Sequence, residues 1–130
     1  MINYKYICRF TAFLSATLFV TLLFFSSSIF SLFQLQENES AIFVLRRTAL
    51  LFLGLSIISW GGQDAPPSDL RQSFCLGMSV AMFGLAITGI LAYWRGFVGV
   101  GVMLSVFVEL AVSFSYFYIW WRSRLVEVGR

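Results

Sequence analysis

Four long stretches of the chain are almost entirely apolar, and short polar segments separate them. The stretches cover residues 10–33, 41–60, 73–94 and 97–121. A helix of about 20 residues crosses the hydrocarbon core of a bilayer, because the core is about 30 Å thick and the rise is about 1.5 Å per residue. None of the stretches alternates apolar and polar residues as a membrane β-barrel strand does. The pattern predicts an all-α membrane protein, a bundle of four transmembrane helices in a single domain that covers residues 1–130.

The polar segments carry the signals that end one helix and start the next. Residues 34–40 form the first predicted loop. The second, residues 61–69, combines two glycines and two prolines with Ser68 as the candidate N-cap of the third helix. The third is reduced to residues 95–96. A connection this short predicts that the third and fourth helices form a tight antiparallel hairpin.

The composition indicates that lipid is the main solvent of this chain. Hydrophobic residues make up 59% of it and charged residues 12%, with a mean hydropathy of +0.86. A soluble domain carries about 25% charged residues, so too little polar surface is present here to face water on all sides. The net charge of +3 comes from residues that flank the apolar segments. No clustered basic face is left for nucleic acid, so we expect the lipid bilayer and no nucleic acid as a partner.

Basic residues near the span ends predict the orientation, because cytoplasmic ends carry more Lys and Arg. With the N-terminus inside, six basic residues fall on the cytoplasmic side: Lys5, Arg9, Arg71, Arg122, Arg124 and Arg130. Only Arg46, Arg47 and Arg95 fall outside, so N-in and C-in is predicted. We expect these three arginines to reach lipid head groups at the outer interface. The alternative for Arg46 or Arg47 is an ion pair with Glu37 or Glu39.

The first apolar segment has one alternative interpretation. Lys5 and Arg9 precede it and three serines at 26–28 end it, a pattern that also fits a cleaved signal peptide. Its apolar run is longer than the about 7–15 residues of a signal-peptide core, so we favour a retained first helix. The many phenylalanines of this segment predict a helix that faces lipid or a partner subunit rather than the centre of the bundle.

Small residues predict how the third and fourth helices pack, because small side chains let membrane helices approach closely. In the third span they recur every three or four positions, at Gly77, Ala81, Gly84, Thr88 and Ala92. The stripe in the fourth span consists of Gly101, Ser105, Glu109 and Ser113. We expect the two stripes to face each other, with a packing interface formed by Gly77, Ala81, Gly84 and Gly101.

Glu109 is the acid nearest the middle of a predicted span, and it defines the candidate buried polar site. A charge at the bilayer centre costs about 2.5–3.5 kcal/mol on insertion scales, so the carboxyl must be neutral, paired or next to water. The favoured interpretation is structural, with a neutral carboxyl hydrogen-bonded to Ser105, Ser113, Thr88 or a backbone carbonyl. The alternatives are proton transfer or ligand binding by Glu109, and pairing with a partner subunit.

The residues needed for several common chemistries are missing. The chain has no histidine, and Cys8 and Cys75 stand alone, so we expect no metal site and no cofactor. No nucleophile–base pair, glycine-rich phosphate loop or paired carboxylates are recognisable, so the chain is not expected to be an enzyme. Cys8 lies beside the first span, where we favour an inert thiol over an acylated one.

A set of weakly specific features extends over residues 46–121. It consists of Arg47 followed by Gly54, the turn from Pro67 to Arg71, Arg95 with Gly96 at the hairpin, and Glu109 in a last helix that ends in aromatic residues and arginines. In these features the chain resembles the small four-helix integral membrane proteins of bacteria that have no assigned activity. The resemblance covers somewhat more than half of the chain. It implies the same topology and a bacterial inner (cytoplasmic) membrane, and it implies no function.

The preferred functional hypothesis is a non-catalytic accessory or scaffolding subunit that packs against larger subunits of a membrane complex. A respiratory or photosynthetic assembly is one class of such complex. The hypothesis depends on loops too short to form a substrate-binding domain and on the phenylalanine-rich first helix as a docking face. The alternative is a small module that binds or transports a lipid, a quinone or another amphiphile through Glu109.

Overall fold

The computed structural model describes residues 3–36 and 38–128, and all regular structure in these residues is helical. The five helices are α1 (Tyr4–Phe24), α2 (Ser26–Phe33), α3 (Glu39–Gly61), α4 (Asp69–Trp94) and α5 (Val102–Val128). Glu37 and Arg130, which entered the ion-pair and orientation predictions, lie outside the described residues. The predicted all-α class is therefore confirmed for the described part of the chain.

Three of the long helices begin at a polar side chain that satisfies a free backbone N–H group. Asn3 accepts a hydrogen bond from the Lys5 amide at the start of α1, and Asn38 accepts one from the Ala41 amide at the start of α3. Ser68 does the same for α4 by accepting from the Arg71 amide at 3.3 Å. These N-caps fix where the helices begin. The predicted cap at Ser68 is confirmed.

Four of the helices are long and apolar enough to cross a membrane: Tyr4–Phe24, Glu39–Gly61, Asp69–Trp94 and Val102–Leu125. The first starts earlier than predicted and ends at Phe24, because the backbone leaves the helical region at Phe25. Next to this break, the Ser26 hydroxyl donates to the Leu22 carbonyl at 2.8 Å. A serine that bonds back to the preceding turn competes with the helical ladder, and this bends helices. The predicted span 10–33 is thus two helices, α1 and the short α2.

The connection between α4 and α5 is longer than the two residues predicted. Gly96 adopts a left-handed backbone conformation with φ of 72°, and regular helix resumes only at Val102. In between, the Gly99 amide donates to the Phe33 carbonyl at 2.7 Å, so this segment is tied to the end of α2. A predicted span that starts at residue 97 is therefore wrong by five residues, because the backbone N–H of Gly99 is used outside the helix.

The helices form two hairpins that lie side by side. One consists of α1 and α3, and the other of α4 and α5, as predicted for the third and fourth spans. The hairpins meet where α1 contacts α5, and α2 contacts both α1 and α3. This makes α1 a central helix, which corrects the expectation that it faces lipid or a partner subunit rather than the centre of the bundle. Its phenylalanines Phe10, Phe13 and Phe24 are exposed, whereas Cys8 and Ser15 point inward.

The face of α4 that packs inside the chain is not the predicted small-residue stripe. Gly77, Ala81 and Gly84 are exposed, and a Cβ atom built on either glycine meets nothing within 4 Å. The buried residues of α4 are Gln72, Cys75, Met78, Ser79, Met82 and Ala86. The close approach to α5 occurs at Gly89, whose built Cβ would lie 2.8 Å from Val106 Cγ2. The face of α4 with Met78 and Met82 packs inside the chain, and the stripe with Gly77 and Gly84 faces outward.

Gly101 permits a close approach, but its partner differs from the predicted one. A Cβ atom built on Gly101 would collide with the backbone carbonyl of Leu32 in α2. The glycine therefore allows the start of α5 to lie against the last turn of α2 rather than against α4. Together with the Gly99–Phe33 hydrogen bond, this contact holds α2 across one end of the bundle.

Candidate functional site

Glu109 and Ser105 form the polar pair at the centre of the candidate site. They lie one helical turn apart on α5, which places both side chains on the same face of the helix. The Ser105 hydroxyl donates to Glu109 Oε1 at 2.7 Å. Both residues are half-buried. The sequence-predicted contact between Glu109 and Ser105 is therefore present.

A cavity of about 220 Å³ opens beside this pair. All five helices contribute to its wall: Leu14, Ser15 and Leu18 from α1, Ile29, Leu32 and Phe33 from α2, Phe52 from α3, Met82 and Leu85 from α4, and Leu104, Ser105, Val108 and Glu109 from α5, with Gly101 just before α5. The wall is almost entirely apolar, and among the described residues that line it Glu109 is the only titratable one. We call this space the Glu109 cavity.

Ser15 is the residue of this site that the sequence analysis missed. It is only 2% exposed, lies on α1, and borders the Glu109 cavity. Within the described residues, no hydrogen bond to its hydroxyl is present. One feature of the sequence could have indicated it. Ser15 follows Thr11 by four residues and Cys8 by seven, so the three small, polar residues share one face of the first helix.

The other two predicted members of the site lie elsewhere. Ser113 is buried and donates to the Ser79 carbonyl at 2.8 Å, so it links α5 to α4. Its hydroxyl is also 3.3 Å from that of Ser79. Thr88 is exposed, and its hydroxyl donates to the Leu85 carbonyl of its own helix. The structure thus corrects the four-residue cluster to the pair Glu109 and Ser105.

The position of Glu109 along its helix also differs from the prediction. Because α5 starts at Val102, Glu109 lies two turns from the beginning of the helix rather than at its midpoint. This level is close to α2 and to the connection 95–101. Glu109 therefore lies nearer one end of the bundle than the sequence indicated.

The three arginines predicted to reach lipid head groups are all exposed. Arg46 and Arg47 lie two turns inside α3, and Arg95 follows the end of α4. The Arg47 guanidinium lies 5.6 Å from the centroid of the Phe43 ring. The structure brings neither Arg46 nor Arg47 into an ion pair with Glu39, and the other proposed partner, Glu37, is outside the described residues. Their exposure is compatible with long side chains that extend toward water.

A second polar cluster, which the sequence analysis did not anticipate, lies two turns further along α5. The Tyr116 side chain is completely buried, and its hydroxyl donates to Thr11 Oγ1 at 3.0 Å. The same hydroxyl lies 3.8 Å from the Cys8 sulfur. The Phe74 ring packs edge-on against the Tyr116 ring at 5.9 Å. Cys8 is thus an interior residue, and its burial contradicts the acylation alternative.

The loop after α3 is fastened to the start of α1 by charged and polar contacts. Lys5 forms an ion pair with Asp64 at 2.7 Å, and Arg9 donates to the Gln63 side chain at 2.6 Å. The Arg71 guanidinium lies 4.0 Å above the Tyr4 ring. The ion pair is exposed, so its contribution to stability is small. These contacts nevertheless gather four of the basic and acidic side chains of the chain at one end of the bundle.

In the described residues, His, Cys, Asp and Glu side chains do not form a group of three or more that would hold a metal ion. The fold and the site define a class of protein: an all-helical chain with four helices of membrane-spanning length and one acid beside an apolar cavity. Comparison of the chain with protein-family models, with curated proteins and with solved structures finds no match in any of the three. The resemblance to the small bacterial membrane proteins stays a prediction.

Proposed function

We propose that this chain is an integral protein of a bacterial inner membrane, inserted through α1, α3, α4 and α5 with both termini in the cytoplasm. The support for insertion is the length and apolarity of these four helices together with their exposed large hydrophobic side chains. The support for the orientation is the cluster of Lys5, Arg9 and Arg71 at one end of the bundle. The central position of α1 favours its retention over cleavage as a signal peptide.

Within that membrane, we propose a non-catalytic role as an accessory or scaffolding subunit that packs against a larger membrane protein. One observation carries this proposal. The small-residue stripe of α4, formed by Gly77, Ala81, Gly84 and Thr88, lies on the outside of the chain. In lipid, helices associate through close packing at small residues, so an outward stripe of this kind suits a helix of another subunit. The exposed phenylalanines of α1 offer a second apolar surface.

The test is recovery of the protein from its native membrane in a mild detergent, with identification of the co-purifying proteins and their stoichiometry. The informative variant is Gly84→Leu, which places a large side chain in the middle of the stripe. Its matched control is Gly54→Leu on α3, where a built Cβ also meets nothing within 4 Å. We expect a stoichiometric partner with the wild-type protein and the control, and its loss with Gly84→Leu.

One outcome would count against the accessory role, and another would count only against the α4 stripe as its docking surface. One is recovery of the wild-type chain alone, as a monomer or a homo-oligomer. The other is a partner that both variants lose or both keep, because the α4 stripe would then not be the docking surface. Both variants are expected to keep the wild-type helix content, since a Cβ atom built on either glycine meets nothing within 4 Å.

A second candidate function is favoured by a different observation, the Glu109 cavity. A mostly apolar cavity with a small number of polar groups is the usual form of a small-molecule site. The chain is then a small module that binds or transports a lipid, a quinone or another amphiphile. Glu109→Gln distinguishes the two candidates. The accessory role predicts nearly unchanged assembly and activity, and the binding role predicts loss of function in a protein that still folds.

A further inference from the structure

The size of the Glu109 cavity limits what can occupy it. A cavity of about 150 Å³ in an otherwise packed protein interior binds benzene. The Glu109 cavity measures about 220 Å³ and therefore has room for one aromatic or aliphatic ring with a short substituent.

The cavity is reached from the apolar surroundings of the bundle rather than from a polar loop. Two of its wall residues, Leu104 and Leu32, are 66% and 49% exposed, so they form an outer surface as well as the cavity wall. Leu85 of α4 is also exposed. A ligand dissolved in the bilayer thus meets the cavity directly between α2, α4 and α5.

The polar groups of the cavity mainly accept hydrogen bonds. The Ser105 hydroxyl already uses its proton on Glu109 Oε1, and no described residue donates to Glu109 Oε2. Ser15 supplies one more hydroxyl on the α1 side, 98% buried and without a described partner. A ligand head group that donates hydrogen bonds therefore finds two acceptors in the cavity, Glu109 Oε2 and the Ser15 hydroxyl.

The charge of the cavity also favours a ligand whose head group donates hydrogen bonds. No Lys or Arg is among the described residues that line it, and those from α1, α2, α3 and α4 carry no titratable group. A negatively charged head group would lie beside Glu109 without any counter-charge. A carboxylate in an apolar site costs free energy unless it is paired, so a cationic head group gains the most there.

We propose that the Glu109 cavity binds a lipophilic amine: a single-ring molecule whose ammonium group pairs with Glu109 Oε2 and lies within reach of the Ser15 hydroxyl. This inference rests on the second candidate function above, the amphiphile-binding module, and gives its ligand class. The ring occupies the apolar wall formed by Leu14, Leu18 and Met82. Ser105 orients the Glu109 carboxyl and does not contact the ammonium group.

The test uses the full-length protein in phosphatidylcholine nanodiscs and three single-ring probes of nearly equal size. The probes are 4-ethylbenzylamine, which is a cation, 4-ethylbenzyl alcohol, which is neutral, and 4-ethylbenzoate, which is an anion. Binding is measured by ligand-observed NMR, and empty nanodiscs give the background of simple partitioning into lipid. We expect saturable binding of the amine at one site per chain, at least tenfold weaker binding of the alcohol, and none of the benzoate.

Two variants test whether the measured binding occurs in the Glu109 cavity. Glu109→Gln keeps the shape of the side chain and removes its charge, so amine binding should fall at least tenfold to the level of the alcohol. Leu18→Trp fills the ring space and leaves Glu109 in place, so it should abolish binding of both the amine and the alcohol. Circular dichroism and size-exclusion elution establish that each variant is folded.

The outcomes separate this inference from the function on which it rests. If the alcohol binds as tightly as the amine and Glu109→Gln changes neither, the cationic ligand class is wrong while a ring-binding cavity stands. If no probe binds above the background of empty nanodiscs, or if Leu18→Trp changes nothing, the binding function falls as well.

Discussion

Tyr116 and Glu109 lie two turns apart on the same face of α5, and their surroundings are opposite. The Tyr116 side chain is completely buried, its hydroxyl is hydrogen-bonded to Thr11, and its ring is packed by Phe74. Glu109 is half-buried, keeps one carboxylate oxygen without a described partner, and borders a cavity. We call these two regions the closed half and the open half of the bundle.

The difference arises from what α1 and α2 place opposite each residue. At the level of Tyr116, Cys8 and Thr11 are completely buried and Met78 of α4 is 6% exposed, so little space is left. At the level of Glu109, α1 contributes the small Ser15, and α2 crosses the end of the bundle through its contact with Gly101. One helix face thus carries a polar group that is enclosed by packing and another that borders a cavity, according to how fully the neighbouring helices fill the space.

The largest expected difference in stability is between aromatic-to-alanine substitutions in the closed half and in the open half. Tyr116→Ala should lower the free energy of unfolding by about 3 kcal/mol, because it leaves a cavity in a filled region and removes a buried hydrogen bond. Phe52→Ala, at the wall of the existing cavity, should cost about 1 kcal/mol, since fewer contacts are lost there. Unfolding in mixed micelles with increasing sodium dodecyl sulfate measures both. Equal losses would show that the halves are packed alike.

The next largest effect tests how α2 covers the open half. Gly101→Ala should destabilise the protein by about 2 kcal/mol, because its Cβ would collide with the Leu32 carbonyl and the backbone must move. The same substitution at Gly84, where nothing lies within 4 Å, is the control and should leave stability unchanged or slightly higher. The same micelle titration gives the comparison. A Gly101→Ala protein as stable as the control would mean that α2 does not press on α5.

A smaller effect is expected from the hydroxyl group that defines the closed half. Tyr116→Phe keeps the ring packing on Phe74 and removes the hydrogen bond to Thr11, so it should cost about 1 kcal/mol. Tyr118→Phe is the matched control, because the Tyr118 side chain is exposed and has no described hydrogen bond. Stability of the two variants should differ in thermal unfolding in the same detergent. If Tyr116→Phe leaves the stability unchanged, the closed half is stabilised by side-chain packing alone.

The smallest effect on stability is expected at Glu109 itself. Glu109→Gln should change the free energy of unfolding by less than about 0.5 kcal/mol, because the amide oxygen still accepts from Ser105. The control is Ser105→Ala, which removes the donor and leaves the carboxyl in place. A loss of several kcal/mol in Glu109→Gln would instead mean that the carboxyl holds the bundle together through its charge, and the open half would then be structural.

Much of the fold was predictable because it depends on local sequence. The four membrane-length helices follow from long, mostly apolar runs, and the start of α4 follows from Ser68, whose side chain caps the nearby amide of Arg71. The bend at Phe25 was not predicted, although three serines follow it and Ser26 donates back to the Leu22 carbonyl. The late start of α5 was missed because the Gly99 amide bonds to Phe33, a residue distant in sequence.

The candidate site was predictable only in part. The pair Glu109 and Ser105 was one of the alternatives that helical spacing offered, and the structure contains it. Ser113 has the same spacing from Glu109 on the other side, yet it bonds to Ser79, because the neighbouring helix offers a carbonyl there. Thr88 points away from the bundle. The positions of Ser15 and Tyr116 in these polar sites follow from the packing of α1 against α5, which the sequence did not predict.

The sequence by itself determined which segments are helical, where most of them begin, and that the chain suits a lipid environment, because these properties depend on residues near one another along the chain. Only the tertiary structure decided which face of each helix is inside. Periodicity marks a small-residue stripe on α4 but does not say whether the stripe meets α5 or the outside. That choice depends on the summed packing of side chains from several helices, and here it turned Met78 and Met82 inward and Gly77 and Gly84 outward.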